Sequence, residues 1–155
     1  PAVAQTAFLF NETLAADFGT VDSTDELCSN EEFGGGPLVF NFDVSGLTPS
    51  AQGTLTIVAQ GEINDIDEYY TIKFDDLTLT PIVGSTGGSS EFKCTHETEQ
   101  IFSIPHNELV EAAKNGSIIV KAVPSDGIGC NCLDENPDTP FINQVTITLE
   151  FPAIT

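Results

Sequence analysis

The sequence lacks arginine, methionine and tryptophan, and its 155 residues include only four lysines, two histidines and two tyrosines. Nucleic acids and anionic membranes are bound mainly through arginine and lysine, so we expect neither as a partner. The scarcity of Trp and Tyr weighs against stacking of sugar rings on aromatic side chains. No run approaches the roughly 18 apolar residues of a membrane-spanning helix, so we expect no membrane insertion.

Negative charge, by contrast, is abundant. The chain has 24 Asp and Glu residues and a formal net charge of −20. Self-repulsion of this size is relieved by bound divalent cations or by high salt, so the charge fits either a metal requirement or a role in solubility in a saline habitat. The hydrophobic fraction of 40%, with eleven Phe, predicts a packed globular domain.

Several features predict an extracellular or cell-surface protein. The chain begins with Pro1 and has no methionine, a pattern expected of a secreted chain whose leader has been removed. Two sequons, at Asn11 and Asn115, are potential N-glycosylation sites. The even set of cysteines is typical of disulfides: Cys28, Cys94, Cys130 and Cys132.

The cysteine spacing disfavours a zinc site, because Cys130 and Cys132 are separated by one residue instead of two and only two histidines are available. A bridge between Cys130 and Cys132 would close a strained ring. We therefore expect each of them to pair with either Cys28 or Cys94, and both such pairings remain open.

Short runs of alternating apolar and polar residues predict an all-β fold, an antiparallel β-sandwich that is jelly-roll-like and has one short helix. The predicted strands cover residues 38–44, 54–60, 69–74, 77–83, 92–95, 100–104, 117–123 and 145–151. Alternation along them groups these residues on one face of their strands, which we expect to point inward: Phe40 and Phe42; Leu55, Ile57 and Ala59; Tyr70, Ile72 and Phe74; Val145, Ile147, Leu149 and Phe151. Asp75 and Asp76 predict a turn. Pro81 predicts an edge or bent strand. The helix is predicted at 106–116, capped by Asn107, ended by Gly116 and crossing between the sheets.

The first ten residues are apolar and uncharged, and they predict a strand. This segment is either the first strand of its own sandwich or an arm that completes the sheet of a neighbouring copy through Val3, Phe8, Leu9 and Phe10. Residues 11–155 form the single sandwich domain in either case. Residues 11–37 are polar and rich in turn residues, which predicts a loop or short edge segments.

Two acidic loops are candidate calcium sites. Calcium takes six to eight oxygen ligands from carboxylates, amides and carbonyls. The loop after the strand at 54–60 offers Glu62, Asn64, Asp65, Asp67 and Glu68, and the loop before the last strand offers Asp134 and Asp138. The spacing is not that of an EF-hand. Solvated acidic turns are the alternative.

Enzymatic functions find little support in the sequence. No pair of carboxylates lies in an apolar groove pattern, as a glycosidase requires. His96 and His106 do not neighbour a nucleophile motif. We therefore expect a protein that is not an enzyme.

Two stretches carry a family resemblance: Gly61-Glu-Ile-Asn-Asp-Ile-Asp-Glu-Tyr-Tyr70, which is followed by a cysteine-containing loop, and Asn143-Gln-Val-Thr-Ile-Thr-Leu-Glu-Phe151. They resemble the jelly-roll modules of secreted and surface-anchored prokaryotic proteins, which include adhesin-like proteins and donor-strand filament subunits. The resemblance implies an extracellular, non-catalytic module that binds calcium through Asp65, Asp67 and Glu68.

Two functions follow as hypotheses. The first is a structural subunit of a fibre or surface layer, which binds copies of itself by N-terminal β-strand addition and is stabilised by calcium and disulfides. The second is a carbohydrate-binding module or adhesin domain with a polysaccharide partner.

Overall fold

Two antiparallel sheets face each other in the computed structural model of the chain. The structure describes residues 5–17, 37–61, 69–84, 96–125 and 144–155. The strands are β1 (Ala7–Asp17), β2 (Leu38–Asp43), β3 (Thr48–Pro49), β4 (Gly53–Gly61), β5 (Tyr69–Phe74), β6 (Leu77–Thr78), β7 (Val83–Gly84), β8 (His96–Ile104), β9 (Ser117–Pro124) and β10 (Gln144–Ile154). Helix α1 (His106–Ala113) lies between β8 and β9.

The first sheet has the strand order β1-β10-β4-β8, with β3 beside β10, and the second has the order β2-β9-β5-β6, with β7 beside β5. Helix α1 carries the chain from the first sheet to the second, as predicted for a crossover. The predicted all-β antiparallel sandwich is confirmed, with one short helix in the part of the chain that the structure describes.

Side-chain alternation builds the core, because successive residues of a strand point to opposite faces. On β10 the inward residues Val145, Ile147, Leu149 and Phe151 are fully buried, as predicted. The predicted inward faces of three further strands are confirmed too: Phe40 and Phe42 on β2, Leu55, Ile57 and Ala59 on β4, and Tyr70, Ile72 and Phe74 on β5. Helix α1 closes one end of this core with Leu109, Ala112 and Ala113.

Strand β8 differs from its prediction. One continuous strand runs from His96 to Ile104, where two short strands around an acidic break were predicted. Glu97 and Glu99 are compatible with the strand because both are exposed, while Phe102 and Ile104 on the alternate positions are buried. The predicted segment at 92–95 lies outside the described residues.

Strands β1 and β10 are both longer than predicted. Strand β1 runs past residue 10 to Asp17, so the first part of the polar stretch is strand, with Leu14 and Ala16 packed against the core. Strand β10 continues through Pro152 to Ile154. Pro152 still takes part in backbone bonding, because its carbonyl accepts a hydrogen bond from Ser50 N at 2.9 Å.

The predicted capping of the helix by Asn107 is wrong. Helix α1 begins at His106, its N-cap is Pro105, and no side chain caps it. The His106 ring holds this end in place instead, through Nε2 at 2.8 Å from the Pro49 carbonyl oxygen. Gly116 follows the helix with φ of +81°, the left-handed conformation that ends helices, as predicted.

The prediction of one strand at 77–83 is wrong. The structure has two strands of two residues each, β6 and β7, on either side of a cis Thr80–Pro81 peptide. Pro81 cannot donate a backbone hydrogen bond, which is consistent with the predicted bend. The turn predicted at Asp75 and Asp76 is present, with Asp75 in the left-handed region at φ of 54°.

Tyr70 places a hydroxyl in the core with no hydrogen-bond partner among the described residues. Burial raises the pKa of Tyr70 far above its ordinary value of 10.0. We expect Tyr70→Phe to leave the free energy of unfolding unchanged or to raise it by about 1 kcal/mol, because it removes an unpaired buried polar group. Urea unfolding, with the half-buried Tyr69→Phe as control, measures the change. A loss of stability in Tyr70→Phe alone would contradict this expectation.

The described strands and helix define two opposite ends of the sandwich. At one, which we call the loop end, Gln60 pairs with Gln144, Gly61 with His96, and Tyr70 with Pro124. At the opposite end, the helix end, lie α1 and the pair Ala7 and Ile154. The described residues that flank segments 18–36, 62–68, 85–95 and 126–143 all lie at the loop end. Fourteen of the 24 acidic residues and all four cysteines belong to these segments.

Candidate functional site

Strand β1 forms one border of the first sheet and holds most of the predicted assembly arm. It pairs with β10 in the same chain along its whole length, from Ala7 opposite Ile154 to Asp17 opposite Gln144. Among the described strands it has no partner on its other border. The chain in this structure therefore completes its own sheet, and Phe8, Leu9 and Phe10 lie in that strand. Val3 lies outside the described residues.

The inward face of β1 is only partly covered. Phe10, Leu14 and Ala16 are half-buried against the core, whereas the inward residues of the adjacent β10 are completely buried. The Phe10 ring stacks on Phe151, with centroids 4.8 Å apart and an interplanar angle of 22°. Near the start of the strand, Phe8 is 38% exposed and Leu9 57% exposed. Strand β1 is thus a peripheral strand held mainly by one neighbour.

Polar contacts along the outer face and at the chain ends also hold β1. The hydroxyls of Thr13 and Thr148 lie 2.8 Å apart on the outer face. At the helix end, Thr6 N donates to Thr155 Oγ1 at 3.2 Å, and Thr155 N donates to the Thr6 carbonyl at 3.1 Å. These contacts join the strand to the last residues of the chain.

The charge on β1 is low for this molecule. Its eleven residues include only Glu12 and Asp17, and no charged side chain precedes Glu12. Like-charge repulsion between two copies of a chain of net charge −20 is weakest where carboxylates are absent. The N-terminal half of β1 is therefore the part of this border that a second copy approaches with least repulsion.

The predicted calcium ligands all lie in segments outside the described residues: Glu62, Asn64, Asp65, Asp67, Glu68, Asp134 and Asp138. The same holds for the predicted disulfide residues Cys28, Cys94, Cys130 and Cys132. The described residues show where the two acidic segments attach, since Gln60 and Gln144 are paired neighbours at the loop end. Within the described ranges, no three His, Cys, Asp or Glu residues group as metal ligands do.

Both predicted glycosylation sites lie on the surface. Asn11 is exposed on the border strand β1, and Asn115 is exposed in the turn after α1. The two asparagines are accessible to a glycosylating enzyme in the folded chain, and glycosylation of either remains a prediction.

A shallow groove of about 540 Å³ opens at the helix end. Its walls come from the turn between β2 and β3 and from the end of α1: Ser45, Gly46, Leu47, Thr48, Pro49, Val110, Ala113, Lys114, Asn115 and Gly116. Beside it, Asp43 accepts hydrogen bonds from the Ser45 hydroxyl at 2.7 Å and from Ser45 N at 3.1 Å. The hydrogen bond from the hydroxyl has the larger effect, and together the two bonds lower the pKa of the Asp43 carboxyl below its usual 3.8. Sequence reasoning missed this groove because its walls come from residues about 65 positions apart.

The fold contains no helix, in the ranges described, that is long and apolar enough to cross a membrane. No family model matches the chain, and no curated protein does. Among solved structures, one similar chain is the native structure of a family 35 carbohydrate binding module from Clostridium thermocellum. The likeness covers 94% of this chain and 98% of that one, at 13% identity and a TM-score of 0.40. Similarity at this level carries no argument about function.

Proposed function

We propose that the chain is a non-catalytic subunit of an extracellular fibre or surface layer, whose copies join when β1 of one copy completes the first sheet of the next. The observation that carries this proposal is the position of β1 on a sheet border, paired with β10 alone among the described strands. The same contacts form equally well with the identical strand of another copy, because exchange of an identical element preserves its pairing.

Chain length permits this exchange. Nineteen residues, 18–36, separate Asp17 from Pro37, and a fully extended chain of that length reaches about 65 Å. The reach is long compared with β1 itself, whose eleven residues span roughly 37 Å at the usual rise per residue. The connection is therefore long enough for β1 to leave its own sheet and pair in a neighbouring copy.

The partial cover of β1 lowers the cost of separating it from its own sheet. Hydrophobic stabilisation is roughly proportional to the apolar area removed from water. Phe10, Leu14 and Ala16 are only half-buried, so they contribute less than residues on a central strand such as Ile147. When each copy gives its β1 to the next copy without the exchange closing into a dimer or ring, the contact runs head to tail and propagates into a filament.

The test is sedimentation and negative-stain imaging of the full-length chain over a range of concentrations. We expect oligomers whose size increases with concentration, and filaments or layers at high concentration. A protein that stays monomeric up to millimolar concentration, in the presence of calcium, would rule out the assembly proposal.

Calcium is the proposed stabiliser of the loop end. Support comes from the pairing of Gln60 with Gln144, which brings the attachment points of both acidic segments together. At a calcium concentration 100 times its Kd, binding stabilises a fold by about 2.7 kcal/mol. We expect excess EDTA to lower the melting temperature by about 5–10 °C, and added calcium to restore it.

Two controls make the chelation result specific. Magnesium in place of calcium should restore little of the melting temperature, because it demands stricter octahedral geometry than a flexible acidic loop supplies. Asp65→Asn combined with Asp67→Asn should lower the melting temperature in calcium and remove most of the response to EDTA. An unchanged wild-type melting temperature in EDTA would remove calcium from the proposal.

Carbohydrate binding is the second candidate function. The observation that favours it is the groove at the helix end, where hydrogen-bonding groups of Ser45, Thr48 and Asn115 lie beside apolar Leu47 and Val110. The similar chain from Clostridium thermocellum is a carbohydrate binding module. Retention of the monomer on polysaccharide gels, lost in Thr48→Ala but kept in Thr78→Ala on the second sheet, would favour this function over assembly.

A further inference from the structure

Two of the four lysines lie side by side on the outer face of the second sheet. Lys73 on β5 is directly opposite Lys121 on β9, so their Cβ atoms are about 5 Å apart. Like charges directly opposite one another destabilise a sheet. This adjacency is notable in a chain with only four cationic side chains and 24 acidic ones.

Neither lysine is neutralised by the described part of the chain. The ion pair seen there joins Lys114 to Glu111 at 2.7 Å, and it involves neither Lys73 nor Lys121. On this face Asp43 is already bonded to Ser45, and Asp75, two residues after Lys73, makes no ion pair with it. The fourth lysine, Lys93, lies outside the described residues.

An apolar side chain extends the lysine pair into a row across the sheet. Val39 on β2 is directly opposite Lys121, and Thr78 on β6 is directly opposite Lys73. Val39 is 53% exposed. The outer face of the second sheet therefore presents one exposed aliphatic group beside two positive charges.

The outer face of the first sheet has the opposite character. Strands β1, β3, β4, β8 and β10 contain no lysine or arginine. On β8, Glu97 and Glu99 are exposed two residues apart, and Ile101 beside them is 56% exposed. The two faces of the sandwich are thus opposite in charge at these positions, and each has an exposed aliphatic side chain beside its charged pair, Val39 on the second sheet and Ile101 on the first.

We infer that Lys73 and Lys121 bind the Glu97 and Glu99 carboxylates of a second copy of this chain, so that sandwiches stack face to face. The contact is heterologous, because it joins the second sheet of one copy to the first sheet of the next, and it repeats from copy to copy, into an open array or a ring according to the rotation between copies. It deepens the proposed assembly function by adding a lateral contact to the strand exchange along β1. Pairing opposite charges at this point offsets repulsion between two chains of net charge −20.

A zero-length carbodiimide cross-linker tests the contact directly, because it joins a lysine amine to a carboxylate only when the two touch. Full-length chain labelled with ¹⁵N is mixed with unlabelled chain, cross-linked in solution and digested for mass spectrometry. We expect cross-linked peptide pairs that join Lys73 or Lys121 to Glu97 or Glu99. Pairs in which one peptide is ¹⁵N-labelled and the other is unlabelled, called mixed-isotope products, come from two different copies of the chain. Products confined to one isotope, or no more abundant than those from Lys114, would overturn the inference.

Charge reversal gives an independent readout. Lys73→Glu combined with Lys121→Glu should reduce the mixed-isotope yield at least tenfold, and so should Glu97→Lys combined with Glu99→Lys. A mixture of the two double variants should regain the cross-links, now between the lysines introduced at positions 97 and 99 of one variant and the glutamates introduced at positions 73 and 121 of the other. Lys114→Glu, which lies away from both faces, is the control and should keep the wild-type yield.

The same samples separate this contact from strand exchange. Filaments of wild-type width in the Lys73→Glu and Lys121→Glu double variant would rule out the face-to-face contact and leave the exchange along β1 intact. Cross-links and assemblies of wild-type yield in a chain that lacks residues 1–10 would rule out the exchange along β1 and leave the face-to-face contact standing.

Discussion

Deletion of residues 1–10 is expected to abolish strand exchange between copies and to lower the free energy of unfolding of the chain by about 3–5 kcal/mol. The deletion removes the pairing of Ala7 through Phe10 with the end of β10 and the stack of Phe10 on Phe151. It also exposes the Phe151 ring, which is completely buried in the full chain. The melting temperature should fall by about 10 °C, as measured by calorimetry.

Point variants separate assembly from stability in this experiment. Phe10→Ala keeps the whole strand and loses only the stack, so we expect a smaller loss of about 2 kcal/mol with assembly retained. Leu9→Ser changes an exposed side chain and should alter stability by less than about 0.5 kcal/mol. Assembly of the deletion variant with the size and concentration dependence of the wild type would eliminate strand exchange along β1. A sugar-binding protein should keep its ligand after the same deletion.

Gly53→Ala is expected to destabilise the fold by about 1–3 kcal/mol. A Cβ atom at this position would lie 2.7 Å from the Glu150 carbonyl oxygen and 2.9 Å from both Leu109 Cδ1 and Phe151 Cβ. The backbone of β10 cannot retreat without moving the Phe151 ring and its contact with β1. We expect the melting temperature to fall by roughly 5 °C in thermal unfolding.

Gly46→Ala is the matched control for Gly53→Ala. Gly46 has φ of +75° and no atom within 4 Å of the added Cβ, so its substitution costs only backbone strain of about 1 kcal/mol. Crowding at Gly53 should therefore cost more than strain at Gly46. Equal or greater stability of Gly53→Ala relative to the wild type would show that α1 and β10 are less tightly packed than the structure indicates.

Strands with strict alternation were predictable because local sequence decides their inward face. The pattern of β10 predicted four of its buried residues, and the same holds for Leu55, Ile57 and Ala59 on β4. The acidic part of β8 was not predicted as strand, since outward carboxylates on a strand look like loop residues when the sequence is read alone. The helix was predicted to begin at His106, where it does begin, but the contact that holds this end was not predicted, because the His106 bond to Pro49 joins residues 57 positions apart.

The candidate contacts were predictable only in part. The apolar run at Phe8 to Phe10 indicated a strand, but Leu14 and Ala16 were assigned to a polar region because no neighbouring run marked them as inward. The adjacency of Lys73 and Lys121 depends on the register between β5 and β9, which no local pattern contains. The register between strands that are distant in sequence depends on how all the inward side chains pack together in the core.

The bonds between Thr6 and Thr155 show that the first and last strands meet at the helix end. A short linker from residue 155 to residue 5, with new ends opened between 18 and 36, would therefore make a circular permutant. In that permutant β1 would follow β10 as the second strand of a hairpin. A short turn would then join β1 to β10, so β1 could no longer reach the sheet of a neighbouring copy, and strand exchange along β1 would be lost.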